Sequence, residues 1–243
     1  MEIWEALSSG YICLYWRCKR VLLPSDVTKI KRVGVVDDNA DIRETLSEEL
    51  VDADFEPHIF PGPYDDVQQL CQALVQNTDA TVCDHHLSPH RLASFTGAEL
   101  VSCCNVKKRP SVLTTTYSKA DADQIRLYLR HIPVRLTQDQ TNPDTIRRGW
   151  EWCLNEFNGK YRQERKPWRT LVRIADIDDG TSNTVLYVIV PAWSSVEVIR
   201  ILKRHLPVLL QEKAQVGFRF HANVNLGTEN QEDMYFDQFQ WSE

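Results

Sequence analysis

Between residues 32 and 159 a short β-rich apolar run gives way to a helical stripe five times over, and that alternation restricts the fold more than any other feature of the chain. The first run, 32–36, ends in Asp37-Asp38 and is followed by Ile42, Leu46 and Leu50 at the i, i+4 spacing of one helix face. A second strand is expected over 55–60 and a second helix over 64–75, where Val67, Leu70, Cys71 and Leu74 share a face. The third pair is 80–83 and 97–104; the fourth is 111–115 and 120–129. A fifth strand over 132–136 precedes Asn142-Pro143, a cap residue and a first-turn proline that open a fifth helix running through Trp150 to Phe157. Strands alternating with helices make a parallel sheet covered on both faces, and right-handed crossovers leave few ways to wind it. The expected fold class is α/β: a doubly wound five-stranded parallel sheet over 31–159, with a second, smaller α+β domain beyond it.

Sheets of this kind bind ligands at the carboxyl ends of their strands. Asp37, Asp38, Asp84 and Thr115 fall at such ends, and they come from three strands. Two carboxylates about 4 Å apart repel by roughly 4 kcal/mol at an effective dielectric near 20, so three cannot all stay ionised without a compensating charge. A hard divalent cation supplies that charge, and Mg2+ suits a site of few carboxylates. Beside such an ion a carboxylate of Asp84 can attack phosphorus to give an aspartyl phosphate. The Thr115 hydroxyl is placed to bond the new phosphoryl oxygens.

The residues VGVVDD (33–38), ATVCD (80–84), Gly97-Ala98-Glu99-Leu100 and PSVLTTTYS (110–118) make residues 32–159 resemble the receiver domain of two-component response regulators, a flavodoxin-like fold. The resemblance implies an Mg2+ pocket of Asp37, Asp38 and Asp84, with Asp84 as phosphoacceptor and Thr115 as switch hydroxyl, Thr116 being the alternative. It places Tyr117 near the signalling face. It implies a sensor histidine kinase as phosphoryl donor, a cytoplasmic location, and a homodimer through the fourth and fifth helices. Two departures stand out. The Lys-Pro pair that follows the fifth strand in receivers is replaced by Arg135-Leu136-Thr137-Gln138-Asp139, with Thr137 or Gln138 at the lysine position and Arg135 the nearest cation. The connection from Asp84 to Gly97 is longer than the family's and carries His85, His86 and His90, read as loop residues. A DHH triplet also marks one phosphoesterase family, but no Asp-x-Asp motif is properly placed upstream.

The charged stretch 160–168 reads as a linker, and 169–243 as an output or partner-docking unit of order β-β-α-β-β. Its strands are expected over 170–177, 184–190, 216–224 and 233–241, and its helix over 194–211. Asp176-Ile177-Asp178-Asp179-Gly180-Thr181 differs by one extra aspartate from the motif of haloacid-dehalogenase-type phosphatases and reads as a hairpin turn. No nucleophile–base pair is visible in this unit, so the chain is expected to be a signalling protein and not an enzyme. The alternative is a phosphorylation-independent pseudo-receiver, a protein-binding scaffold of a bacterial conflict or defence system.

A formal net charge of −6 argues against nucleic acid as a partner. No apolar run reaches the length of a membrane helix. Residues 1–30 read as a peripheral arm, with Glu2 and Glu5 where a signal peptide would be basic. The seven cysteines, odd in number and free of Cys-x-x-Cys, read as buried thiols in a reducing compartment.

Overall fold

The computed structural model describes residues 26–116, 119–180 and 183–241. Cys13 and Cys18, the arm up to residue 25, Tyr117 and Thr181 lie outside the described residues.

Five parallel strands form the first sheet: β1 (Arg32–Val36), β2 (Glu56–Ile59), β3 (Ala80–Asp84), β4 (Ser111–Thr114) and β5 (Arg135–Leu136), in the order β2-β1-β3-β4-β5. The inner strands are buried along nearly their whole length because both of their faces are covered. The helices between them are α1 (Ala40–Asp52), α2 (Val67–Asn77), α3 (Gly97–Val106), α4 (Lys119–Arg126) and α5 (Pro143–Phe157). Local chemistry sets their starts. Asn39, Asp66 and Thr96 each turn a side-chain oxygen onto a backbone N–H of the first turn. Asn142 and Thr145 form a reciprocal capping pair around Pro143.

Two hydrophobic layers sandwich this sheet. One gathers Leu70, Leu74, Leu100, Leu113 and Ile125; the other gathers Val33, Leu50, Val82, Ile146 and Trp150. Trp150 is fully buried, its indole N–H donates to the Thr81 carbonyl at 3.0 Å, and its ring meets Phe55 edge-on. The fold class expected from the strand–helix alternation is therefore the one observed.

The second sheet is antiparallel: β6 (Trp168–Asp179), β7 (Thr184–Ile189), β8 (Ile199–Leu202), β9 (Arg219–Val224) and β10 (Phe236–Gln240), in the order β10-β9-β6-β7-β8. One expectation fails here. The helix over 194–211 is instead the strand β8 followed by the short helix α6 (Val208–Lys213). Ile199 and Ile201 are buried while Arg200 between them is exposed, a period of two. Pairing to Val188 and Leu186 of β7 fixes that strand. Pro207, which has no N–H to give, separates it from α6. The unit is thus β-β-β-α-β-β.

The two units are packed together. Within 160–168, Arg165 is buried, bonds both carboxylate oxygens of Glu156 at 2.9 and 3.2 Å, and donates to the Leu129 carbonyl. Tyr235, from the second unit, joins the core of the first and gives its hydroxyl hydrogen to the Arg165 carbonyl. On α4, Arg126 donates to the carbonyls of Gln231 and Met234, and Asp123 pairs with Arg200. Arg135 of β5 pairs with Asp233.

Candidate functional site

At the carboxyl ends of β1 and β3 lies a cleft of about 310 Å³, lined by Asp37, Asp84, Thr114, Gln138 and Thr141 and walled by α1. β1 and β3 are hydrogen-bonded neighbours, so the residues that end them are brought side by side. Asp37 Oδ1 accepts the Asn39 N–H at 2.8 Å, which fixes the turn into α1. Asp84 Oδ2 accepts the His86 N–H at 2.7 Å. In register, Asp84 is paired with Thr114 of β4.

Both carboxylates are disfavoured as anions. Burial, then the charge of Asp37, pushes the Asp84 carboxyl up to about 6 from an ordinary 3.8. Burial also raises Asp37, with the charge of Asp38 adding to it and the Asn39 N–H and Arg43 opposing it. Two neighbouring carboxylates whose anions burial disfavours are what a hard cation with oxygen ligands relieves, so Asp37 and Asp84 fit a divalent metal such as Mg2+.

The other two residues singled out in the sequence are placed differently. Asp38 is held by the long loop after β3: its Oδ2 accepts the His90 N–H at 2.7 Å and lies 3.2 Å from His90 Nδ1. The long β3–α3 connection thus folds back over the end of β1. It is a packed segment, with Leu87, Leu92 and Ala93 buried and Tyr64 bridged to Ala93. Its two ends are tied by the Gly97 N–H donating to the His85 carbonyl at 2.9 Å. Gly97 is required there, because a Cβ would stand 1.7 Å from the Asp84 carbonyl oxygen.

Thr115 lies one residue past β4 and lines a separate cavity of about 550 Å³ between the two units, with Arg135, Thr137, Arg165 and Asp233. Its Oγ1 is buried without a hydrogen-bond partner. Of the two candidates for the lysine position, Gln138 reaches the acidic cleft and Thr137 faces the cavity between the units. Arg135, the nearest cation in sequence, serves the interface with Asp233. Three threonines in a row hide which of them faces the cleft, and only the pairing of β3 with β4 picks out Thr114.

Sequence reasoning also missed a grouping. His85 and His86, read as loop residues, meet Asp121 in the first turn of α4, with one donor atom from each within 4.8 Å of the others. Nothing in the spacing of residues 85 and 121 announces that contact.

Compared with protein-family models and with curated proteins, the chain matches none. Among solved structures it is similar to response-regulator receiver domains over about half its length. The chemotaxis response regulator CheY4 of Vibrio cholerae is 22% identical, with 51% of this chain and 98% of that chain covered and a TM-score of 0.37. The signal receiver domain of an HD domain-containing protein from Pseudomonas fluorescens is 16% identical, with 53% and 93% covered and a TM-score of 0.41. The response regulator TrrA of Thermotoga maritima, solved with Mg2+ and a beryllium fluoride, is 22% identical, with 45% and 87% covered and a TM-score of 0.35.

Proposed function

We propose that the chain is a response-regulator-like signalling protein of the cytoplasm, a switch and not a turnover enzyme, that accepts a phosphoryl group on Asp84 from a histidine kinase. The observation that carries this reading is the pairing of Asp37 and Asp84 in one cleft, where burial disfavours both anions and the charge of Asp37 adds to the penalty on Asp84. Mg2+ held by Asp37 and Asp84 would supply positive charge to the entering phosphoryl oxygens. Asp38, whose Oδ2 is held by His90, would complete the acidic set. A carboxylate oxygen of Asp84 forms its bond to phosphorus as the P–N bond of the phosphohistidine breaks, and the electron pair stays on the imidazole nitrogen. The His86 N–H orients the attacking carboxylate. Thr115 is the switch hydroxyl in this reading: its Oγ1 is buried without a hydrogen-bond partner and lines the cavity shared with the second unit, next in sequence to Thr114 at the acidic cleft. Its movement toward a phosphorylated Asp84 would be felt at the Arg135–Asp233 contact, which makes the C-terminal sheet the output or docking unit. The test is incubation with Mg2+ and a small acyl phosphate, followed by intact-mass measurement. One phosphoryl adduct on the wild type and none on Asp84→Asn is expected. An unmodified wild type, under conditions that modify a control receiver, would end this reading.

A second reading rests on the neutral Gln138 at the cleft and on the engagement of Asp38 by His90. Both weaken capture of a dianionic product, and both suit a pseudo-receiver that binds a protein partner irrespective of phosphate. Equal partner binding by wild type and Asp84→Asn, with and without the acyl phosphate, is its signature.

A further inference from the structure

His85 is completely buried, yet neither of its ring nitrogens has a hydrogen-bond partner. That is unusual, since buried polar side chains are ordinarily hydrogen-bonded and an unsatisfied one is costly. Its Nε2 lies 4.0 Å from Asp121 Oδ1, and His86 Nε2 lies 3.3 Å from Asp121 Oδ2. The two imidazoles stand edge to face with centroids 4.8 Å apart. The donor atoms therefore surround one point, between the loop after β3 and the first turn of α4.

We propose that His85, His86 and Asp121 form a binding site for a borderline-soft divalent transition metal, best matched by Zn2+, which clamps the β3–α3 loop onto α4. The donor set decides the class of ion. Two imidazole nitrogens and one carboxylate suit Zn2+ and its first-row neighbours, whereas Mg2+ prefers oxygen alone. Zinc bonds of about 2.0–2.1 Å in tetrahedral geometry put ligand atoms roughly 3.3–3.4 Å apart. The His86 Nε2–Asp121 Oδ2 pair already stands at 3.3 Å, and the three donor atoms, all within 4.8 Å of one another, close on an ion by about 1.5 Å at most. The His86 side chain is 43% exposed, so an ion has an entry path from solvent on that side.

The position gives the ion consequences. Asp84 immediately precedes the two histidines. On the far side, α4 carries the contacts of Asp123 and Arg126 to the second unit. Metal occupancy would fix α4 relative to the phosphoacceptor loop and thereby stiffen the interface. This inference holds whether or not Asp84 is phosphorylated.

The experiment uses the full chain, stripped with a chelator under reducing conditions. Zn2+ is titrated against a chromophoric competitor, and Co2+ serves as the spectroscopic probe. One equivalent bound by the wild type is expected, with His86→Ala and Asp121→Asn each weakened by roughly tenfold or more. Co2+ should give visible d–d absorption without a sulfur-to-metal band, and Asp37→Asn should retain it. Circular dichroism checks folding; His86 on its exposed side stays informative if Asp121→Asn misfolds. Equal affinity in wild type and both variants overturns the proposal, as does a sulfur band, which would move the ion to cysteines. Loss in Asp37→Asn with retention in His86→Ala overturns it too, by moving the ion to the acidic cleft.

Discussion

Replacing Asp84 by asparagine should make the metal-free protein more stable, the reverse of what losing a site residue usually does. The Asp84 carboxyl titrates at about 6 in the fold against an ordinary 3.8, so between those values the native state binds more protons than the unfolded chain. Stability then falls as pH rises from about 4 to about 6 and stays reduced above it. A shift of about 2 units corresponds to about 3 kcal/mol, trimmed to about 2 kcal/mol because the carboxylate is partly exposed to solvent. Asparagine keeps an oxygen for the His86 N–H and brings no charge to Asp37. In the presence of a chelator at pH 7.5, Asp84→Asn should gain about 2 kcal/mol in denaturant unfolding, or roughly 4–8 °C in melting temperature. Between pH 4 and pH 6 the wild type should lose a corresponding amount and the variant much less. Mg2+ at a hundred times its dissociation constant adds about 2.7 kcal/mol to whichever form binds it, so the order of stabilities should reverse with saturating metal. An Asp84→Asn protein no more stable than wild type without metal would refute the claim that burial and the charge of Asp37 disfavour the Asp84 carboxylate.

Two further substitutions probe the frame around the cleft. Gly97→Ala should destabilise by at least about 2 kcal/mol in denaturant unfolding, since the clash is with the backbone of Asp84 and not with a movable side chain. Arg165→Met should cost about 3 kcal/mol by leaving the buried Glu156 with only its 3.9 Å ion pair to Arg130, and Glu156→Leu added to it should recover most of the loss; no recovery in the double variant would show that the arginine acts through its carbonyl contacts instead.

The parts of this molecule that could be read from the chain are those governed by neighbouring residues. Period and capping place α5, where Asn142, Pro143 and Thr145 act within one turn. The apolar runs place β1, β3 and β4, and their ends bring Asp37 and Asp84 together. What escaped depends on tertiary pairing. The apolar residues of 194–211 satisfy a helical period almost as well as a strand's, and β7 decides between them by supplying backbone partners. Asp38 and His90 are 52 residues apart, and only the folded loop joins them. The contact of Asp121 with the two histidines has the same origin: a helix start meets a strand end across the top of the sheet.

The covering of α4 and β5 by the C-terminal sheet bears on self-association. A symmetric dimer built on the fourth helix would need the surface that Gln231, Asp233, Met234 and Arg200 already occupy. A unit tethered by a short connection competes at an effective concentration on the order of millimolar, well above that of a separate copy. Self-pairing through the Asp123 and Arg126 side of that helix and retention of the in-chain sheet are therefore mutually exclusive, and any signal that favours one must displace the other.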